Sequence, residues 1–197
     1  MFLLDGELLA VVLSARMAAA KRVRVLPVTP DRWDDFEQLF GARGAPHYCW
    51  CTPYRCSDVR HWSSKQKRAH MHGLVAAGTP IGVLAYAGER AVGWCSVAPR
   101  ETYVRLQRSR TMPRVSDAPT WTVLCLFVPR PERGQQLTSA LLKGALRYAR
   151  ASGAQCVEGY PHDTAGISAS HRGSSRAFAA AGFHQQGKRW VRSWSRA

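Results

Sequence analysis

The chain is short of acid and lacks membrane-length apolar runs and Cys-x-x-Cys pairs. Asp and Glu number 13 against 28 Lys and Arg, which leaves a formal net charge of +15 over 197 residues. A field of that sign disfavours cationic partners and attracts anions such as phosphorylated ligands, acidic substrates or nucleic acid. No stretch of about 18 uncharged apolar residues occurs, so no segment reads as a bilayer span. Residues 1–20 are apolar-rich but carry Asp5, Glu7 and Arg16 and have no basic start, which argues against a secretory signal. They are read as an N-terminal extension ahead of one domain over 21–197, and a cytoplasmic location is expected. None of the six cysteines stands in Cys-x-x-Cys spacing, so the common zinc-finger arrangement is missing. An even cysteine count without a signal peptide does not define a disulfide framework either. No internal repeat and no low-complexity segment is present.

What is there reads as an ordinary globular domain, with 46% hydrophobic and 21% charged residues. Residues 22–28 alternate as a first strand. Thr29 or Asp31 can cap a helix over 32–40, where Trp33, Phe36, Leu39 and Phe40 keep helical spacing. Ser63 or Ser64 caps a second helix reaching about residue 77. Residues 81–86 and 91–98 flank a turn and predict a β-hairpin. Residues 100–115 form a basic connection with some helical pattern, with Arg105, Arg108, Arg110 and Arg114 read as a solvated face. Residues 121–128 are nearly all apolar, as expected of a central strand buried on both faces. A helix over 137–151, a strand over 155–160, a polar loop, a short helix over 174–181 and a last strand over 188–194 follow. Strand, helix, strand in this half implies a parallel pair, and the early hairpin makes the α/β sheet mixed.

The run from Val123 through Val128, Arg133, Gly134, Gln135, Gln136, Leu137 and Thr138 to Leu142 resembles the acyl-CoA-binding core of the Gcn5-related N-acetyltransferase (GNAT) family. Gly93-Trp94-Cys95-Ser96-Val97, Val157-Glu158-Gly159-Tyr160-Pro161 and Phe178-Ala-Ala-Ala-Gly182-Phe183 agree with it in order and spacing. Cys49-Trp50-Cys51 is similar to a segment of one bacterial subgroup. The resemblance implies a single-domain GNAT fold, acetyl-CoA as acyl donor and direct transfer to a primary amine. It assigns the pantetheine arm and thioester oxygen to Leu126, Phe127 and Val128, and the pyrophosphate to the amides from Arg133 to Thr138. Two family positions differ: Gln136 and Thr138 stand where a glycine and a small residue are usual. Gln136 can offer its amide if its side chain turns to solvent. Thr138 either crowds the pyrophosphate or bonds it. A helix start suits that ligand on physical grounds alone, through unpaired N–H groups and a positive dipole end.

Amine acetylation needs a base for the amine and donors for the developing oxyanion. Glu158 is the only acid inside the expected central strands, where burial would raise its pKa. Its alternative role is an ion pair with one of the arginines. His162 is a second base candidate. The tyrosine that many family members use as acid corresponds to Phe178, which has no proton to give, so Tyr160 is the substitute candidate. Ser175, beside Ser174, either contacts coenzyme or caps the last helix. Cys49, Trp50, Cys51 and Tyr54, with Trp62, are expected to wall the acceptor site, or else to pack under a long loop. His47, Cys49, Cys51, Cys56 and His61 gather soft ligands in unusual spacing, and no metal is expected. Partners are thus acetyl-CoA and an unidentified amine. Membrane is excluded, nucleic acid is disfavoured and homodimerisation is left open.

Overall fold

The computed structural model describes residues 23–42, 45–114, 116–163 and 171–194. The extension expected over 1–20 lies outside them. Seven strands form one sheet: β1 (Val23–Pro27), β2 (Val83–Ala87), β3 (Arg90–Pro99), β4 (Thr120–Phe127), β5 (Cys156–Gly159), β6 (His184–Gln186) and β7 (Arg189–Ser193), in the order β1-β2-β3-β4-β5-β7-β6. Only β4 and β5 run parallel; every other neighbouring pair is antiparallel. The helices are α1 (Trp33–Gly41), α2 (Ser64–Ala76), α3 (Val104–Gln107), α4 (Leu137–Ala151) and α5 (Ser175–Ala180). The long α4 is the crossover that a parallel pair requires. No helix among the described residues is long and apolar enough to cross a membrane.

The sheet is covered on both faces. Leu137, Leu141, Leu142, Ala145 and Ala149 recur along α4 at helical spacing and pack with Phe178 of α5 against Val83, Cys95, Val123 and Val157. On the other face, Trp33, Phe36 and Phe40 of α1 and Met71 and Val75 of α2 enclose Trp50, Leu84, Trp94 and Phe127. Ser63 caps α2 in a reciprocal pair with Gln66. Two sequence expectations change, and the helical pattern after β3 gains bounds. Neither Thr29 nor Asp31 caps α1, because a 3-10 turn over Pro30–Arg32 intervenes. The connection after β3 folds into a 3-10 turn and α3. The final strand is a hairpin, β6 with β7.

One irregularity shapes everything that follows. Ser96 pairs with Cys125 but Val97 pairs with Val123, so Leu124 is an extra residue in β4. Such a bulge bends the strand and reverses the face of later side chains. Trp121 and Val123 before it, and Leu126 after it, therefore all face α4, although their numbers differ in parity. Pairing of β4 with β5 ends at Val123↔Gly159. Beyond it, among the described residues, β4 runs on to Phe127 without β5 alongside.

The approach of α4 to β1 is set by Gly144, where a Cβ would collide with Val25. Gly144→Ala should therefore destabilise by about 1–3 kcal/mol through overpacking, despite alanine's better helix propensity. Adding Val25→Ala should restore most of the loss. Denaturant midpoints of both variants check this.

Candidate active site

The end of β4 and the start of α4 enclose a cavity of about 390 Å³. Leu126, Phe127, Val128, Arg133, Gly134, Gln136, Leu137 and Thr138 line it, as do Glu132, His171 and Gly173. The chain reaches α4 through Gly134 at φ 83° and Gln136 at φ 57°. Left-handed backbone at Gln136, a residue with a Cβ, costs about 1 kcal/mol, and Gln136 is exposed where it lines the cavity. The first helical N–H groups have no carbonyl one turn earlier to bond. Arg133 Nε donates to the Val128 carbonyl at 3.1 Å, which ties this turn to β4. The one carboxylate among the described residues of the lining, Glu132, is neutralised by Arg90 at 2.8 Å.

A second cavity, of about 230 Å³, lies against Leu124 and Cys125 of β4. Its walls include Tyr48, Cys49, Cys51, Tyr54, Tyr103 and Arg172, and His171 lines both cavities. His171 escaped the sequence reading because nothing local marks it. The loop that carries it is closed by the His162 N–H, which donates to the Gly173 carbonyl at 3.0 Å. Gly173 sits at φ 75°, and a Cβ there would come within 2.7 Å of Leu126, so only glycine brings the loop this close.

The loop from β1 to β2 supplies the thiols. Trp50 and Cys51 both adopt left-handed backbone, at φ 44° and 51°. This turns the Trp50 ring into the core, 5.4 Å from Phe40, with its N–H donating to Ser64 Oγ at 2.9 Å. The expected wall is thus corrected. Trp50 is a packing residue and Trp62 meets His70 edge to face, while Tyr48 and Tyr103 take their places. All six cysteines are free, and of the three in strands only Cys95 is buried. The Cys51 thiol and backbone N–H both bond the Cys49 sulfur, the latter at 3.4 Å, and Lys67 adds positive charge. Together they hold Cys49 at about 7 against the opposing effect of burial. Cys51 is pushed well up by its neighbours Cys125 and Cys49 and by burial. Among the described residues no three His, Cys, Asp or Glu side chains converge on a metal position. Cys56 meets His70 at 3.2 Å instead.

Cys49 should consequently be the first cysteine alkylated by iodoacetamide, with roughly tenfold more thiolate near neutral pH than an ordinary thiol. Its rate should climb as pH rises through about 7 and then level off. Peptide mapping across that range checks this; earlier labelling of Cys56 or Cys156 would contradict it.

The remaining sequence candidates lie elsewhere. Glu158 is buried and paired with Arg100, with Thr122 Oγ1 donating to it at 3.1 Å. It borders neither cavity at β4 but a hollow shared with Arg114 and Arg189. Tyr160 faces another hollow with Arg110 and Lys188, and its buried hydroxyl has no hydrogen-bond partner among the described residues. Burial first, and the Glu158 charge second, push Tyr160 up to about 12. His162 and Gln135 are exposed. Ser175 donates its N–H to Asp163 at 2.8 Å, and Ser174 caps α5. Phe178 is fully buried, against Gly159 and 4.8 Å from Phe183.

This bulged strand, opening beside a helix start, matches a family already suggested by the sequence. The model of the acetyltransferase (GNAT) family matches residues 31–169. The chain belongs to that family and is by that membership an acyltransferase. No curated protein matches it. Among solved structures, AAC(6')-Ib in complex with Parmomycin and AcetylCoA is similar over 87% of this chain and 93% of that one, with TM-score 0.56 and 11% identity. Drosophila melanogaster polyamine N acetyltransferase gives 0.50 and 13% over 88% and 100%. Brucella melitensis ribosomal-protein-alanine N-acetyltransferase gives 0.50 and 12% over 87% and 99%. At these identities the likeness establishes a shared fold, the mixed α/β GNAT fold.

Proposed function

We propose that the chain transfers the acetyl group of acetyl-CoA directly to a primary amine. The observation that carries this reading is the pair of cavities on β4 that meet at His171, one of them at the start of α4. The larger takes the donor. Its pyrophosphate lies on the amides of Gln136, Leu137 and Thr138, where partial positive charge is fixed and needs no reorganisation. The pantetheine arm runs along the β4 edge that β5 leaves open, and the N–H groups near Phe127 and Val128 receive the thioester oxygen. The smaller cavity takes the amine. His171 accepts its proton, nitrogen attacks the thioester carbonyl, the carbon–sulfur bond breaks, and coenzyme A leaves as a thiolate that takes up a proton.

Glu158 and Tyr160 have no part in these steps. Their environment supports a structural role, with the Arg100 pair joining the connection after β3 to the middle of the sheet. Calorimetry with acetyl-CoA, followed by a thiol-release assay over an amine panel, tests the reading. One-to-one binding and amine-dependent thiol release are expected. Thr138→Trp, which fills the donor cavity, should weaken binding by about tenfold or more. Binding without release for any amine would favour an acyl-CoA binder over an enzyme. Unaltered affinity in Thr138→Trp would move the donor elsewhere.

A further inference from the structure

The smaller cavity has a chemical character that narrows the acceptor. Among the described residues its lining contains no carboxylate. The fixed charge at the wall is that of Arg172, whose Nη2 donates to the Tyr54 hydroxyl at 2.9 Å, while the Cys49 thiol, held at about 7, is partly ionised near neutral pH. Among the described residues Arg172 is in no ion pair. Behind Tyr103, Arg55 is buried, also without a carboxylate partner among the described residues. It donates to the Ile81 carbonyl at 2.9 Å and to the Tyr103 hydroxyl at 3.2 Å, and its guanidinium lies over the Tyr103 ring. Tyr103 in turn shares a hydrogen bond of 2.9 Å with Ser96, on the cavity wall.

Two guanidinium groups flanking one small cavity, in a chain of net charge +15, create a positive potential there. A polycation entering it would be repelled by both guanidinium groups and would find no carboxylate among the described residues. A carboxylate would find in Arg172 a planar fork suited to two parallel hydrogen bonds, already steadied by Tyr54. The rest of the wall is tyrosine, proline and thiol, which suits an apolar or aromatic body. The volume, below the about 300–1,000 Å³ of typical ligand sites, limits that body to something like a single ring. The same potential lowers the pKa of a bound ammonium and so helps release the proton that attack requires.

We propose that the acceptor is a small amino carboxylate with an apolar or aromatic body, its carboxylate on Arg172, its body between Tyr48, Tyr54 and Tyr103, and its amine toward His171. This rests on the acetyltransferase reading for its chemistry but not for its binding step. The test pairs L-phenylalanine with phenethylamine, which lacks only the carboxylate, and sets both against spermidine and kanamycin. Thiol release should show kcat/KM at least about tenfold higher for phenylalanine than for phenethylamine, as a charge-assisted pair warrants, and lowest for the polycations. Arg172→Gln should bring the phenylalanine-to-phenethylamine ratio close to one, and Arg172→Lys should retain part of it. Taking the ratio within each variant cancels the difference in amine basicity and any partial loss of folded protein. A polycation as preferred substrate, or an unaltered ratio in Arg172→Gln, would overturn the proposal. Calorimetry with phenylalanine alone separates the two readings. Binding that Arg172→Gln abolishes, in a protein that fails to bind acetyl-CoA, would retain the carboxylate site and remove the transferase. Binding of acetyl-CoA without any discrimination between phenylalanine and phenethylamine would do the reverse.

Discussion

Replacing His171 by Gln should lower kcat for acetyl transfer by roughly 10²–10⁴-fold, the usual contribution of a positioned general base, while acetyl-CoA affinity stays within about twofold. The expectation rests on position. His171 is the side chain common to both cavities at β4, so it is placed where an amine in one would meet a thioester in the other. Glutamine keeps the bulk and a polar end but cannot take a proton. If the ring only packs the loop against Leu126, binding and turnover would fall together, and thermal stability with them. A kcat within about threefold of the parent, with the fold intact, would remove His171 from catalysis and leave proton release to water and the positive potential of the cavity.

Replacing Glu158 by Gln should instead act on stability. Arg100 and Glu158 are buried together, with side-chain exposures of 8% and 3%, and Arg100 also donates to the carbonyls of Leu106 and Met112. Neutralising the carboxylate leaves the guanidinium buried without its counter-charge, a loss of about 3–5 kcal/mol. For a domain of this size that lowers the thermal midpoint by roughly 10 °C. The double replacement Arg100→Met with Glu158→Leu should recover most of it, since a well-packed apolar pair often matches a buried ion pair. Well below its midpoint, Glu158→Gln should keep kcat within about threefold. A tenfold or greater loss of kcat with unchanged stability and coenzyme affinity would return Glu158 to the role of base.

These contrasting predictions show what the sequence made legible. β4 and α4 were readable because a strand buried on both faces is a continuous apolar run, and because α4 repeats Leu137, Leu141, Ala145 and Ala149 on one face. The donor cavity followed from them, since backbone amides at a helix start are present whatever the side chains. Gln136 shows the same point: its amide depends on a left-handed backbone that the turn imposes and the residue tolerates at a cost. β6 was not legible, because His184, Gln185 and Gln186 form an exposed edge strand with no buried face to give a period. The partner of Glu158 was not legible either, for Arg100 is 58 residues away and is one arginine among many. Trp50 looked like a binding aromatic, yet two consecutive left-handed residues rotate it into the core. His171 and Arg172 were invisible for the complementary reason. They stand in a polar loop, and contacts distant in sequence hold its end beside β4, among them the close approach of Gly173 to Leu126 and the bond from Arg172 to Tyr54.

Hydrogen exchange of the backbone with and without acetyl-CoA addresses the donor site most directly, because it reads the amides themselves. Slowed exchange confined to residues 126–128 and 134–139 is the predicted result, with the β6–β7 hairpin unaffected. Exchange at the start of α4 that acetyl-CoA leaves unchanged, under conditions where the protein turns over or binds it, would contradict the account.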